Sequence, residues 1–139
     1  MVIARVSLVL RWAFVLLLLG SASGKLLDMA GFIAVVETYQ SLPRSLTPAA
    51  AWGLVAVELI VSVWLAFSVA SRLAALAVVA LHAMYFAWIG SALLRDLSLS
   101  NCGCFGVYLA RPLTGWTLLE DGILLALATI LCRNTRERD

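Results

Sequence analysis

The chain is poor in charge, in proline and in histidine. Its 139 residues include ten basic and eight acidic side chains, three prolines and one histidine. The basic residues are scattered, and no run of them could follow a phosphate backbone, so nucleic acid is excluded as a partner. Long polar stretches are also missing, which leaves no material for a soluble domain. Apolar residues take their place: 63% of the chain is hydrophobic and the mean hydropathy is +1.02, against about 45–50% apolar content in soluble domains. That composition belongs to an integral membrane protein. A spanning helix needs about 20 residues, so residues 1–139 make one domain in the lipid bilayer with spans at about 6–27, 49–70, 73–94 and 113–132.

The first apolar run resembles a signal peptide, with a basic start, a leucine-rich centre and Ser21-Ala22-Ser23 before Gly24. Arg11 interrupts the uncharged core that such a peptide needs, and the run is expected to remain as a span. Gly20 and Gly24 have the small-xxx-small spacing of packed membrane helices. Lys25 and Asp28, three apart, are expected to pair at the membrane surface. Residues Met29 to Leu42 carry Glu37, Thr38, Tyr39 and Gln40 and stop at Pro43. This segment is too short and too polar to span, and is expected to lie in the interface and roof one side of the bundle. Thr47-Pro48 has the form of a helix start, with threonine as cap. Trp52, Trp88 and Trp116 fall near helix ends, where tryptophan anchors a helix at the interface. The expected fold is all-α: a polytopic membrane four-helix bundle with an interfacial helical segment between the first two spans.

Four spans put both termini on one side. Arg5, Arg11, Arg72, Arg133, Arg136 and Arg138 lie with the termini, and Lys25, Arg44, Arg95 and Arg111 on the other face. The bias favours cytoplasmic termini in a bacterial inner membrane. It puts the loop Asn101-Cys102-Gly103-Cys104-Phe105-Gly106 in the periplasm, a membrane thickness away from Cys132. Cys132 therefore cannot be the disulfide partner of either loop cysteine and is expected to be a bystander.

A Cys-x-Cys bridge is tight, because an extended chain holds such alpha carbons near the ~7 Å limit for bridging. Gly103 can relieve this with a positive φ. The bridge would still be strained and easily reduced, which suits a redox relay better than a structural staple. Two thiolates also suit a soft metal such as Cu(I), Zn or Hg. A closed zinc site needs four ligands, however, and His82 is expected well inside the bilayer, so no metal site is assigned within the chain. The pair could also simply close a loop.

The string Cys102-Gly103-Cys104-Phe105-Gly106 resembles the signature loop of the methylamine utilisation protein MauE family, four-helix proteins among the DoxX-like membrane proteins. Gly24-Lys25 followed by an aspartate, then Phe32, Tyr39, Pro43, Glu58, Arg111-Pro112 and Gly115-Trp116, resembles the family pattern in the same order. The resemblance implies a role in making or moving disulfides outside the cytoplasm, with a thioredoxin-like partner or a disulfide-containing client. In the family's named member that client is a disulfide-rich dehydrogenase subunit. The chain would then be a membrane thiol–disulfide oxidoreductase. Quinone-coupled disulfide generators such as DsbB also have four helices but usually carry two cysteine pairs, whereas this chain has one pair and Cys132. It could pass electrons to a quinone or merely exchange thiols with a partner, and the sequence leaves both open.

Ionisable residues inside a membrane are functional candidates because of their cost. At ~1.5 Å per residue, Glu58 lies about 14 Å deep, Glu120 and Asp121 about 11–12 Å and His82 about 18 Å. Cys102 and Cys104 are the candidate redox residues, and Glu58, His82 and Asp121 could form a hydrogen-bonded cluster beneath them that manages protons or a quinone headgroup. For His82 a plain packing role is an equally good reading. The alternative functions are a soft-metal binding or transport subunit and a non-catalytic helical subunit of a larger complex.

Overall fold

The computed structural model describes residues 2–68 and 71–136. The end of the expected second span at Val69–Ala70 and the last tail residues Glu137–Asp139, with Arg138, lie outside them. Five helices follow one another: α1 (Val2–Leu26), α2 (Met29–Thr38), α3 (Thr47–Phe67), α4 (Arg72–Leu94) and α5 (Gly115–Arg136). Among the described residues there is no strand. The four long helices are apolar enough to cross a membrane, and only 22–33% of each span is buried within the chain. Leu16, Phe67 and Leu73 are among the large side chains facing outward, with exposures of 68%, 82% and 66%. Such outward apolar surface would be intolerable in water and is what lipid contact requires. The chain is a multi-pass membrane helical bundle.

Local signals set the helix ends. Asp28 caps α2, its Oδ1 accepting from the Gly31 amide at 2.8 Å, which breaks the chain from α1 after a two-residue turn. Ser71 caps α4 in the same way, accepting from the Ala74 amide at 3.1 Å. Thr47 does not cap α3: its hydroxyl donates to the Pro43 carbonyl at 3.3 Å, one turn back, and the cap position falls to Leu46 while Pro48 keeps its place in the first turn. Arg11 reaches the other end of α3, where its guanidinium donates to the Leu65 carbonyl at 2.7 Å and to the Ala66 carbonyl. A cation there satisfies the orphan carbonyls of a helix C-terminus. That contact explains how a basic residue is accommodated inside the first run.

The bundle packs as two pairs, α1 against α3 and α4 against α5, with α1 also touching α5. The main core lies between all four, where Phe14, Leu18, Val61, Val78 and Leu131 meet, and Cys132 is buried among them near the termini. A second core at the opposite end joins Tyr39, Ile89, Ala92, Cys102 and Leu113. Helix α2 lies over α1 and α3, burying Phe32 against Ala22, Ala51 and Val55. Its far end is tied to α4, because Arg95 donates to the Tyr39 carbonyl at 2.7 Å and to the Ser41 hydroxyl at 3.0 Å. The segment forms a roof, as its composition implies.

The glycine pair of α1 divides. A side-chain carbon on Gly24 would collide with the Phe105 carbonyl, and one on Gly106 with the Gly24 carbonyl, so α1 and the cysteine loop meet backbone to backbone. Gly20 has open space where a side chain would go. The small-residue spacing is thus no helix–helix seam: one member admits the loop and the other faces outward.

Candidate functional site

The cysteine loop is held at every turn. Gly103 has φ +74° and Gly106 φ +76°, the left-handed conformation that glycine takes at little cost. Asn101 fixes the turn from inside: its Oδ1 accepts from the Gly103 amide at 2.9 Å, and its Nδ2 donates to the Gly106 carbonyl at 3.1 Å. The Cys102 amide donates to the Arg111 carbonyl at 2.8 Å. From the roof, Tyr39 Oη donates to the Cys102 carbonyl at 2.7 Å. From α1, Ser21 Oγ lies 2.7 Å from the Cys104 carbonyl. Both cysteine carbonyls are pinned, and the Sγ atoms of the two free thiols stand 2.8 Å apart. Cys102 is buried and Cys104 half-buried. Helix α2 covers the pair, and Phe32 and Val35 pack beside Gly103.

Directly beneath lies an ion pair. Lys25 Nζ is 2.6 Å from Glu58 Oε1, and the two side chains are 1% and 0% exposed. Lys25 also donates to Ser21 Oγ at 2.9 Å and approaches Tyr85 Oη at 3.3 Å. Tyr85 donates to Glu58 Oε1 as well. This overturns the expected surface pairing of Lys25 with Asp28: the local partner caps α2, while the lysine turns inward to the acid on α3. Burial makes the choice, since an uncompensated carboxylate inside a membrane costs several kcal/mol, by order of magnitude, and an opposite charge with hydrogen bonds relieves it.

The expected cluster of Glu58, His82 and Asp121 forms only in part. His82 is buried, but its Nδ1 donates to the Val78 carbonyl at 3.0 Å, one turn back. Its ring stands edge-on to Phe14 and Tyr85, so it packs as a core aromatic and makes no bond to Glu58. Glu120 turns outward to Arg111 at 2.8 Å. Asp121 is 8% exposed. Asp121 Oδ2 and Glu58 Oε2 are buried without a hydrogen-bond partner, and both side chains line one cavity of about 90 Å³ that also touches His82 and Cys104. The cluster is therefore a shared cavity with two unsatisfied carboxylate oxygens rather than a chain of direct bonds. Trp88 is half-buried with its ring tilted against Tyr39, ring centres 6.0 Å apart, while Trp52 and Trp116 are exposed.

The chain matches the family described as methylamine utilisation protein MauE over residues 3–133. The chain belongs to the MauE family. Among curated relatives, it is 32% identical over 119 residues to the methylamine utilization protein MauE of Paracoccus denitrificans, an alignment covering 86% of this chain and 64% of that protein. The chain thus spans somewhat under two thirds of the relative's length. No solved structure matches. In this MauE-family chain, the neighbours Gly24 and Lys25 and the distant Tyr39, Glu58 and Arg111 all converge on the Cys102–Cys104 turn.

The thiols are not equivalent. The hydrogen bond from Cys104 holds Cys102 down to about 6, helped by the loop amides and the Arg111 charge against the opposing effect of burial. Cys104 is pushed up, because its proton is held in the bond to Cys102 and because it is buried, with Lys25 pulling the other way. The first proton leaves the pair readily and the second is retained, as two acids sharing one hydrogen bond must behave. Burial also raises Tyr39, keeping it a hydrogen-bond donor to the loop. Lys25, Ser21 and Tyr85 were not among the candidates from the sequence. The available signal was Glu58 itself, an acid within a span that requires a counter-charge, with lysine one turn after a serine as the nearest supply.

Proposed function

We propose that Cys102 and Cys104 are a redox pair that exchanges disulfides on the periplasmic face of a bacterial inner membrane, with both termini cytoplasmic. The partner is a thioredoxin-like protein or a disulfide-containing client. The reading rests above all on two free thiols held 2.8 Å apart on a pinned turn. Forming a bond between them needs only a short approach, since a disulfide measures about 2.04 Å.

Disulfide transfer uses the asymmetry of the pair. A client thiolate attacks Cys104 Sγ, whose residue borders both cavities, and the electron pair of the broken S–S bond leaves on Cys102. A thiol at about 6 is the better leaving group. The second client thiolate then attacks its own sulfur in the mixed disulfide, which forms the client disulfide and releases Cys104. Cys104, the thiol that holds its proton, is reprotonated. Asp121 and Glu58 border the same cavity as Cys104 and serve as the proton relay, with His82 lining it. Two electrons and two protons pass from client to pair. Among the described residues no three His, Cys, Asp or Glu side chains are grouped as metal ligands do, so soft-metal binding would rest on two thiolates alone.

The test is oxidation of a reduced dithiol peptide by the purified, oxidised protein, followed by mass spectrometry. One peptide disulfide per chain is expected. Cys102→Ala, which cannot form the bridge that accepts the electrons, should yield no peptide disulfide, and Asp121→Asn should slow exchange by about 10²-fold, the low end of what general acid–base groups contribute. Undiminished peptide oxidation by the double variant Cys102→Ser/Cys104→Ser would refute the reading.

A further inference from the structure

The thiols border two cavities, and the larger one is not the polar one. It has a volume of about 280 Å³ and lies between α3 and α4, beneath α2 and the cysteine turn. Helix α3 packs on α1 and α4 packs on α5, so the α3–α4 seam is loosely filled. Gly53, in the middle of the α3 wall, has open space where a side chain would be. Beside it Val57 and Met84, from the facing helices, are 45% and 44% exposed, so the slot opens sideways at the level of the lipid. Its walls are apolar, and its polar groups gather at one end: Lys25, Tyr85 and the two cysteines.

We infer that this slot is the binding site of an isoprenoid quinone, the electron acceptor of the Cys102–Cys104 pair. The inference rests on the redox reading above and names its oxidant. Three observations select the occupant. The sulfurs are roofed by α2, while an open slot reaches them from the hydrocarbon, so the reactant arriving there is lipid-soluble. Lys25 is already neutralised by Glu58 at 2.6 Å, so an anionic lipid headgroup finds no uncompensated cation. A neutral ring with carbonyl oxygens can instead take the third N–H of Lys25, which is held only by the long 3.3 Å approach to Tyr85 Oη, while its apolar tail lies along Gly53 and Val57 toward the lipid. That donor stands where negative charge develops as the ring is reduced, the placement that lowers such a barrier most.

The step balances. Cys102 and Cys104 together lose two electrons and two protons as the S–S bond forms. The quinone gains both electrons and both protons, one proton on each carbonyl oxygen, and leaves as the hydroquinone. The pair is then oxidised again and ready for a client.

The experiment uses the full chain in lipid nanodiscs, reduced and freed of reductant under anaerobic conditions, with decylubiquinone as the probe. Quinone absorbance should fall by one equivalent per chain while alkylation shows Cys102 and Cys104 becoming protected. Gly53→Leu, on the wall of the slot, whose Cβ would meet no atom within 4 Å, should slow quinone reduction by about tenfold or more. Gly20→Leu, the same change at an open position on α1, should leave it intact. Equal rates for Gly53→Leu and the unmodified protein would overturn the site. If the reduced protein reacts with dithionitrobenzoate but never with decylubiquinone, the acceptor is wrong and disulfide exchange stands. If it reacts with neither, both fall. Extraction of purified protein that yields phospholipid but no quinone, even after incubation with decylubiquinone, would make the slot an acyl-chain groove and overturn the inference.

Discussion

Two ion pairs flank the cysteine turn, and they differ in almost everything but length. Lys25–Glu58 lies below it with a separation of 2.6 Å, and Arg111–Glu120 lies beside it at 2.8 Å. The inner pair is 1% and 0% exposed, the outer 46% and 37%. Similar distances therefore conceal opposite situations. Water already solvates the outer ions, so their contact adds little. The inner ions have only each other, Ser21 and Tyr85, and each is a liability without the rest. Both cations also act on the thiols, Arg111 lowering Cys102 and Lys25 pulling Cys104 down. Burial, rather than distance, separates a structural commitment from a modest electrostatic influence.

Removing one inner partner is the hardest test of that distinction. Lys25→Met leaves Glu58 buried without its counter-charge and should cost about 3–5 kcal/mol, read as a large fall in thermal unfolding temperature in detergent. The double variant Lys25→Met/Glu58→Leu removes both charges and should recover most of the loss, because replacing a buried pair by apolar groups is often neutral. A single variant as stable as the unmodified protein would erase the contrast between the pairs.

A smaller effect is expected where the loop docks over the inner pair. Gly24→Ala drives a methyl group into the Phe105 carbonyl, and backbone on both sides leaves nothing soft to yield. The cost should be about 1–3 kcal/mol, and the turn should lift from Ser21, so Cys102 and Cys104 should alkylate faster in the folded protein. Gly20→Ala, facing open space, is the control. Equal alkylation in both would mean that the loop does not depend on this approach.

These residues also mark where the sequence could be read and where it could not. The long helices were legible because each is a run of apolar residues, and Gly103 because a Cys-x-Cys turn almost demands a positive φ. Cys132 could be set aside because topology alone separates it from the loop. Lys25 was misread because an aspartate three residues on is an obvious local partner, whereas the decisive partner, Glu58, is on another helix. Local pairing is worth about 0.2–0.5 kcal/mol, far less than a buried acid requires. The cover over the thiols was missed for a related reason. A roof of ten residues can be recognised as interfacial, but what it covers depends on Arg95 holding its end to α4, a contact 56 residues distant in sequence.

The smallest effect belongs to the outer pair. Arg111→Gln should leave the unfolding temperature unchanged within error, since both partners are solvated. Its consequence is chemical. The thiolate is the reactive form, so iodoacetamide labelling of Cys102 in the reduced protein should rise with pH, reach half its maximum near about 6 and be lost as pH falls below that, whereas an ordinary thiol turns over near about 8.5. Arg111 lowers this point, so Arg111→Gln should move the midpoint upward. Cys104→Ala should move it further, because the hydrogen bond from Cys104 is the larger cause. A midpoint that shifts more for Arg111→Gln than for Cys104→Ala would make charge, rather than the shared proton, the origin of the asymmetry, and would raise the outer pair above the status its exposure assigns it.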